Sequence, residues 1–197
     1  MHNTSPFNPS WSLDWFLNAR LNSHIDELVS RYSRLLALRV DLFYQKNTAR
    51  CEQQDHRQLE SEVRLLMVEM MRLPAVVGYF WVIEWTADHG YHAHGVFWLD
   101  GHATQRPFPY AEKAREYWKA ITQQEGMFYR CEFKEGYKAD IAIPVCYDDP
   151  NSILNIRHVL SYLAKIEQKA GLCAFSCNDV PERPATGRPR KRIGDPV

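Results

Sequence analysis

The segment from residue 79 to residue 98 constrains the fold more than any other part of the chain. Two runs rich in aromatic and β-branched residues, 79–86 and 91–98, flank a short turn that contains Asp88 and Gly90. Such runs around a turn of this composition predict a β-hairpin. Because an isolated hairpin is only marginally stable in water, other elements must pack on it and build a layered fold.

The rest of the chain predicts helices and further strands around this hairpin. Apolar residues recur every three or four positions in the helical segments and alternate with polar residues in the first strand. The other predicted elements are a helix at 12–32, a strand at 35–44, a helix at 52–73, a helix at 110–124, a strand pair at 127–134 and 139–145, and a helix from 151 or 152 to about 170. This order predicts an α+β fold with a central, mainly antiparallel sheet and helices packed on it.

Length and composition limit the number of domains and the compartment. The chain has 197 residues, 45% of them hydrophobic, which suits one domain with a buried core and is too short for a complete eight-stranded α/β barrel. We expect a loose N-terminus at 1–10, a single domain at 11–178 and a basic tail rich in Pro, Arg and Gly at 179–197. The absence of a membrane-length apolar run and of a secretion signal favours a cytoplasmic protein whose five cysteines are reduced.

Charge is unevenly distributed along the chain, although Lys plus Arg and Asp plus Glu each number 24. Residues 183–197 contain five basic residues and one acidic residue, so the remainder of this neutral chain carries a net charge of −4. The run 186–192 resembles the Gly-Arg-Pro core of an AT-hook, which binds the minor groove of A·T-rich DNA. The alternative is a flexible tail that attracts phosphates without sequence preference. Either interpretation predicts DNA contacts from Arg188, Arg190, Lys191 and Arg192.

Three residues of the hairpin predict a metal site. His92 and His94 are two positions apart and therefore project from one face of a strand, and we expect Glu84 on the preceding strand to lie opposite His94. Two imidazoles and a carboxylate suit Mg²⁺, Mn²⁺ or Zn²⁺ and do not by themselves choose among them. Asp88 and His89 in the turn are competing ligands. The alternative is a solvent-facing histidine pair that forms hydrogen bonds only.

The last predicted helix carries a polar stripe. Its members are Asn155, His158, Tyr162, Lys165 and Lys169, spaced by three or four residues. A lysine ammonium beside a phenol favours the phenolate, whose ordinary pKa is about 10, so Tyr162 is a candidate nucleophile with Lys165 as its neighbour. The alternative is a solvated helix face.

Taken together, the metal-ligand residues of the hairpin and the polar stripe of the last helix resemble a known family. His92-Ala93-His94, followed about seventy residues later by Tyr162-Leu163-Ala164-Lys165, is similar to the His-hydrophobic-His (HUH) replication initiators and relaxases, endonucleases that nick single-stranded DNA through a tyrosine. More narrowly, the chain resembles the gene II replication proteins of filamentous phages (inoviruses), also found in prophages. The resemblance covers residues 35–192 and includes the first-strand motif 38–42, the hairpin 81–98 and the run 187–190. Ala93 is smaller than the usual middle residue, and the first strand lacks the threonines of related initiators.

The resemblance implies an HUH-endonuclease-like catalytic domain at 11–178. It implies that Tyr162 is the nucleophile, with Lys165 beside it, and that Glu84, His92 and His94 bind Mg or Mn. The implied activity is the initiation of rolling-circle replication: a nick leaves a 5′-phosphotyrosine on the protein and a free 3′-hydroxyl for a polymerase. The implied partners are single-stranded DNA at a replication origin and the host helicase and polymerase in the bacterial cytoplasm, since the sequence holds no Walker-type phosphate loop.

Two other functions are compatible with the residues. The first is a non-catalytic DNA-binding regulator on the same fold, anchored by the AT-hook-like tail. The second is a metal-dependent hydrolase of a small substrate that uses Glu84, His92 and His94 without Tyr162. That hydrolase predicts a deep pocket and no dependence on the tail.

Overall fold

The computed structural model describes residues 12–167, 169 and 171–184, and this part of the chain forms an antiparallel sheet with helices on both faces. The helices are α1 (Trp15–Arg31), α2 (Ala49–Gln53), α3 (His56–Met71), α4 (Phe108–Ile121) and α5 (Pro150–Leu160), the last followed by a short 3-10 helix (Ser161–Ala164). The strands are β1 (Arg34–Tyr44), β2 (Val76–Thr86), β3 (Gly90–Asp100), β4 (Gly126–Arg130), β5 (Val145–Cys146) and β6 (Phe175–Cys177). The predicted α+β class with a mainly antiparallel sheet is confirmed.

The sheet is open and six-stranded, with the predicted hairpin at its centre. Its strands run in the order β4-β1-β3-β2-β6, and β5 pairs with the other end of β1. The turn between β2 and β3 depends on Gly90, whose φ of +64° is costly for residues with a side chain. A Cβ atom there would also lie 2.4 Å from the Gln54 side chain. The strand β3, which carries both histidines, lies between β1 and β2, each eleven residues long.

Two cores cover the two faces of the sheet. Leu36, Leu38 and Val40 of β1 face the core built with α3 and α4, whereas Leu35 and Ala37 face the core built with α1 and α5. This alternation is the two-residue period of a strand. The helices α1, α3, α4 and α5 each bury one apolar stripe. Capping side chains, such as Asp14, which accepts from Leu17 N at 2.9 Å, set where α1, α3 and α5 begin.

The second predicted hairpin is wrong. β4 pairs with β1, and residues 139–144 form no strand, so only the short β5 lies near that prediction. Pro144 has no N–H to donate to a ladder, and the long β1 offers its own open edge to β4. Residues 131–144 instead form an irregular segment, held to α5 by two hydrogen bonds between the Asn155 amide and the Asp140 backbone, at 2.9 and 2.7 Å.

The last predicted helix is shorter than expected. α5 ends at Leu160, the 3-10 helix follows, and Lys165 is extended and pairs with Leu13 next to α1. Tyr162, Lys165 and Lys169 therefore do not share one α-helical face. The chain turns away because the Ala164 carbonyl accepts from Asp14 N and Ile166 N donates to the Ser12 carbonyl, both before α1. In addition, Lys169 Nζ donates to the Leu163 carbonyl at 3.1 Å.

Four smaller observations concern the remaining predictions. Gln54, in a left-handed conformation with φ of +49°, separates α2 from α3 where one helix was expected. All five cysteines are free thiols, and among the helices of the described residues none has the length and apolarity to cross a membrane. The predicted DNA-binding residues Arg188, Arg190, Lys191 and Arg192 lie outside the described residues.

Candidate metal centre

The structure brings the three predicted metal ligands together at one end of the sheet. One ligand atom from each of Glu84, His92 and His94 lies within 4.8 Å of the others, and all three residues are buried. The predicted register is wrong by two residues, since Glu84 lies opposite His92 and Val82 lies opposite His94. A shift of two residues keeps every side chain on its face, so the ligands still meet on the side covered by α1 and α5.

Hydrogen bonds orient both imidazoles for a metal ion. His92 Nδ1 donates to the Gly90 carbonyl at 3.0 Å, and His94 Nδ1 donates to Asp41 Oδ1 at 2.5 Å. With Nδ1 protonated, the lone pair lies on Nε2, the arrangement typical of metal-ligating histidines. His94 Nε2 is buried without a hydrogen-bond partner among the described residues, 3.4 Å from Glu84 Oε2. Two acceptor atoms this close fit a cation, so the residues present suit a divalent ion.

The ionisation of His92 also suits a ligand. Burial lowers the pKa of His92 to about 4, although the Gly90 carbonyl opposes this effect. The imidazole is therefore neutral at neutral pH, as metal binding requires.

Two lysines share the Glu84 carboxylate. Glu84 is 0% exposed, and its two oxygens lie 2.8 Å from Lys169 Nζ and 2.9 Å from Lys165 Nζ. Although burial acts to raise the pKa of Glu84, its neighbours His94 and Lys169 lower the pKa to about 2. Glu84 is thus ionised at neutral pH, and its single negative charge is shared by two ammonium groups.

Tyr162 lies directly against this group of ligands. Its ring contacts the His94 ring edge to face, with centroids 5.1 Å apart. Lys165 Nζ lies 3.6 Å from the Tyr162 ring centroid, and the Arg39 guanidinium carbon lies 4.6 Å from it. The structure therefore joins the two features that the sequence separates by about seventy residues.

The expected effect of Lys165 on the tyrosine is wrong for the metal-free protein. Burial, and then the charge of Glu84, raise the pKa of Tyr162 to about 12, although Arg39 opposes them. Burial and Glu84 therefore outweigh the cations beside the ring, and Lys165 itself is paired with Glu84 at 2.9 Å.

Sequence reasoning missed Asp41 as part of the site. Asp41 lies opposite His94 in the β1–β3 ladder and orients that ring. Although burial acts to raise the pKa of Asp41, the hydrogen bond from His94 and the charge of Arg39 lower the pKa to about 2. The motif 38–42 contained Asp41, but only the strand order reveals that β1 lies beside β3. Lys169 was assigned to the polar stripe without a role, and no local signal predicts its contact with Glu84.

Other predicted participants lie apart from the centre. His89 and Asp88 are exposed in the turn, and the His89 ring centroid is 6.0 Å from that of His92. The hairpin residues Trp81, Phe97 and Trp98 are completely buried in the cores. They therefore stabilise the sheet and are not accessible to a ligand.

Comparison of this chain with family models, curated proteins and solved structures found no match. The functional argument therefore rests on the geometry of the site.

Proposed function

We propose that this protein is a metal-dependent endonuclease that nicks single-stranded DNA with Tyr162 as the nucleophile and so initiates rolling-circle replication. The observation that supports this proposal is the contact between the Tyr162 ring and His94, a predicted metal ligand. A hydrolase of small substrates needs no tyrosine at its metal, and a tyrosine that only fills space needs no group of metal ligands beside it. Their juxtaposition favours a reaction that uses both.

In the proposed reaction, Tyr162 attacks a phosphodiester. The phenolic proton passes to solvent, the tyrosyl oxygen bonds to phosphorus, and the bond from phosphorus to the 3′-oxygen breaks. The leaving oxygen takes up a proton and becomes a 3′-hydroxyl, and the 5′-phosphate stays on Tyr162. The bond energy is kept in the phosphotyrosine, so the reverse step rejoins the strand.

The cationic side chains around Tyr162 act on the phosphate in this proposal. Arg39 and Lys165 both lie against the Tyr162 ring, where a phosphate approaching the phenol would come within their reach. Glu84, His92 and His94 would hold Mg²⁺ or Mn²⁺, which supplies Lewis-acid stabilisation of the phosphate charge when bound. A cation on Glu84 competes with Lys165, and the released ammonium is then available to the substrate.

The biological setting belongs to the same proposal. The 3′-hydroxyl would prime a host polymerase, and a host helicase would unwind the duplex in the bacterial cytoplasm. Arg188, Arg190, Lys191 and Arg192 would provide an additional anchor on DNA, because the rest of the chain carries net negative charge.

Covalent capture tests the proposed function. The protein is mixed with labelled single-stranded DNA from the intergenic region of its own replicon, with Mn²⁺ or Mg²⁺, and run on a denaturing gel. A labelled protein band is expected for the wild type and is lost in Tyr162→Phe and in His92→Ala/His94→Ala. The matched controls Tyr117→Phe and His102→Ala, which change a tyrosine of α4 on the opposite face of the sheet and a histidine outside the ligand group, should keep the band.

The alternatives give different results in the same assay. DNA binding without any covalent band would refute the nuclease and favour the non-catalytic regulator. A band that survives Tyr162→Phe would refute the assignment of the nucleophile. Absence of both binding and the band would remove DNA as the substrate and favour a small-substrate hydrolase.

A further inference from the structure

A cleft of about 430 Å³ opens beside Tyr162, on the side formed by β1 and the irregular segment 131–144. Arg39, Asp41 and Tyr162 belong both to the lining of this cleft and to the surroundings of the candidate metal centre. The volume lies within the range of pockets that hold small organic ligands. A ligand in the cleft and a phosphate at Tyr162 would therefore be close enough to belong to one molecule.

Three aromatic side chains line the cleft without serving either core. Tyr129 is 45% exposed, Phe133 is 46% exposed and Tyr137 is 54% exposed. None of the three belongs to the two core clusters of the described residues. The rings of Phe133 and Tyr137 pack edge to face with centroids 6.3 Å apart. Exposed aromatic rings gathered around one concavity, outside both cores, indicate a binding surface.

The cleft also carries positive charge. Lys134 and Lys138 line it together with Arg39, and Lys134 Nζ lies 5.9 Å from the Tyr129 ring centroid. Glu132, which also lines the cleft, is paired with Arg130 at 3.2 Å. Within the described part of the chain, Lys134 and Lys138 form no ion pair, so both charges can act on an anion.

The wall of the cleft is held in position. The Asn155 side chain accepts from Asp140 N and donates to Asp140 O, which ties segment 131–144 to α5. The Asp140 carboxylate in turn accepts from Ala142 N at 2.8 Å. Because α5 leads directly into the 3-10 helix that carries Tyr162, the aromatic wall and the candidate nucleophile share one support.

We propose that this cleft binds one unpaired nucleobase of the strand that Tyr162 attacks, stacked against the Phe133–Tyr137 pair, with neighbouring phosphates on Lys134 and Lys138. Aromatic rings flanked by cations are the usual means of binding single-stranded nucleic acid, since every base has a face that can stack. Bases inside a duplex present no free face, so the cleft selects single strands. This inference rests on the proposed function, because it places the base relative to the strand at Tyr162.

Fluorescence anisotropy with a labelled oligothymidylate, in EDTA, tests the cleft apart from catalysis. The variant Phe133→Ala/Tyr137→Ala should bind the strand about tenfold more weakly or worse, whereas Phe133→Tyr/Tyr137→Phe, which keeps both rings, should bind within about twofold of wild type. The matched control is Leu65→Ala/Phe108→Ala, two exposed apolar residues of α3 and α4 that do not line the cleft. Urea unfolding of each variant checks that it is folded.

The outcomes separate this inference from the proposed nuclease activity. Equal binding by wild type and Phe133→Ala/Tyr137→Ala would overturn the cleft proposal, even if covalent capture at Tyr162 succeeds. Weaker binding by that variant, together with failed covalent capture on every strand, would support the base site and refute the nuclease. Tight binding of thymidine monophosphate with no further gain from the oligothymidylate would overturn the strand proposal in favour of a small-molecule pocket.

Discussion

Replacing Glu84 with glutamine should strongly destabilise the metal-free protein, because this carboxylate is the shared counterion of two buried lysines. Lys169 Nζ and Lys165 Nζ lie 2.8 and 2.9 Å from its oxygens, and all three side chains are at most 10% exposed. At these separations the attraction is about 6 kcal/mol for each pair at an effective dielectric constant of about 20, and most of it offsets desolvation. Breaking such a buried pair lowers the free energy of unfolding by about 3–5 kcal/mol.

Urea unfolding in EDTA, followed by tryptophan fluorescence, measures this loss. With a denaturant dependence of about 2 kcal/mol per molar, the midpoint of Glu84→Gln should fall by about 1.5–2.5 M. The control Glu60→Gln removes an exposed partner of Arg64 on α3 and should lower stability by less than about 1 kcal/mol.

A double-mutant cycle with Lys169→Met tests the cause of the loss. If Lys169 depends on Glu84, the double variant should be more stable than the sum of the single effects predicts, by about 1–3 kcal/mol. Additive effects, or a loss below about 1 kcal/mol for Glu84→Gln alone, would refute the argument that this carboxylate is the counterion of the lysines. Mn²⁺ at about 100 times its dissociation constant should stabilise wild type by about 2.7 kcal/mol and Glu84→Gln by much less.

Two further predictions concern the histidine ligands. The pKa of His92 is about 4 in the folded protein and about 6.5 in the unfolded chain. The unfolded chain therefore takes up a proton at a higher pH than the folded protein does. As a result, the contribution of His92 to stability is complete above pH 6.5 and is lost as the pH falls towards 4. The loss in the free energy of unfolding reaches about 3 kcal/mol. Urea unfolding in EDTA at pH 7 and pH 5 measures it, and the drop in stability between the two pH values should be smaller for His92→Gln than for wild type. Asp41→Asn removes the charged acceptor of His94 Nδ1 and should weaken Mn²⁺ binding about 10- to 100-fold, as measured by calorimetry. The control Asp88→Asn, in the exposed turn, should leave the affinity unchanged. Equal Mn²⁺ affinities of wild type and Asp41→Asn would contradict a role for Asp41.

The elements predicted best are those specified by nearby residues. The hairpin follows from two β-prone runs around a turn with Gly90, and the shared face of His92 and His94 follows from the two-residue period of a strand. Glu84 remained on that face despite the register error, because the error was an even number of residues. The composition of α1 and α3 likewise predicted helices, since one apolar stripe on each is enough to direct its packing.

The elements predicted wrongly depend on distant partners. The hairpin expected between 127–134 and 139–145 does not form, because β4 pairs with the open edge of β1 instead. No local pattern in the sequence reveals that this edge is available. The final helix stopped at Leu160 because the next residues bond to the chain before α1 and to Glu84. Tertiary contacts of this kind outweigh helical propensity, which amounts to tenths of a kcal/mol per residue.

The amino-acid sequence by itself determined which chemical groups the site contains and that three of them project from one face of a hairpin, because these properties depend on side-chain identity, backbone period and a short turn. Only the tertiary structure decided that Tyr162, Asp41 and Lys169 meet those ligands. Asp41 arrives through the order of the strands, and Tyr162 and Lys169 arrive through the path of the chain after α5. These contacts depend on how the sheet and the helices pack on one another. They join residues far apart in the chain, so no local sequence pattern predicts them.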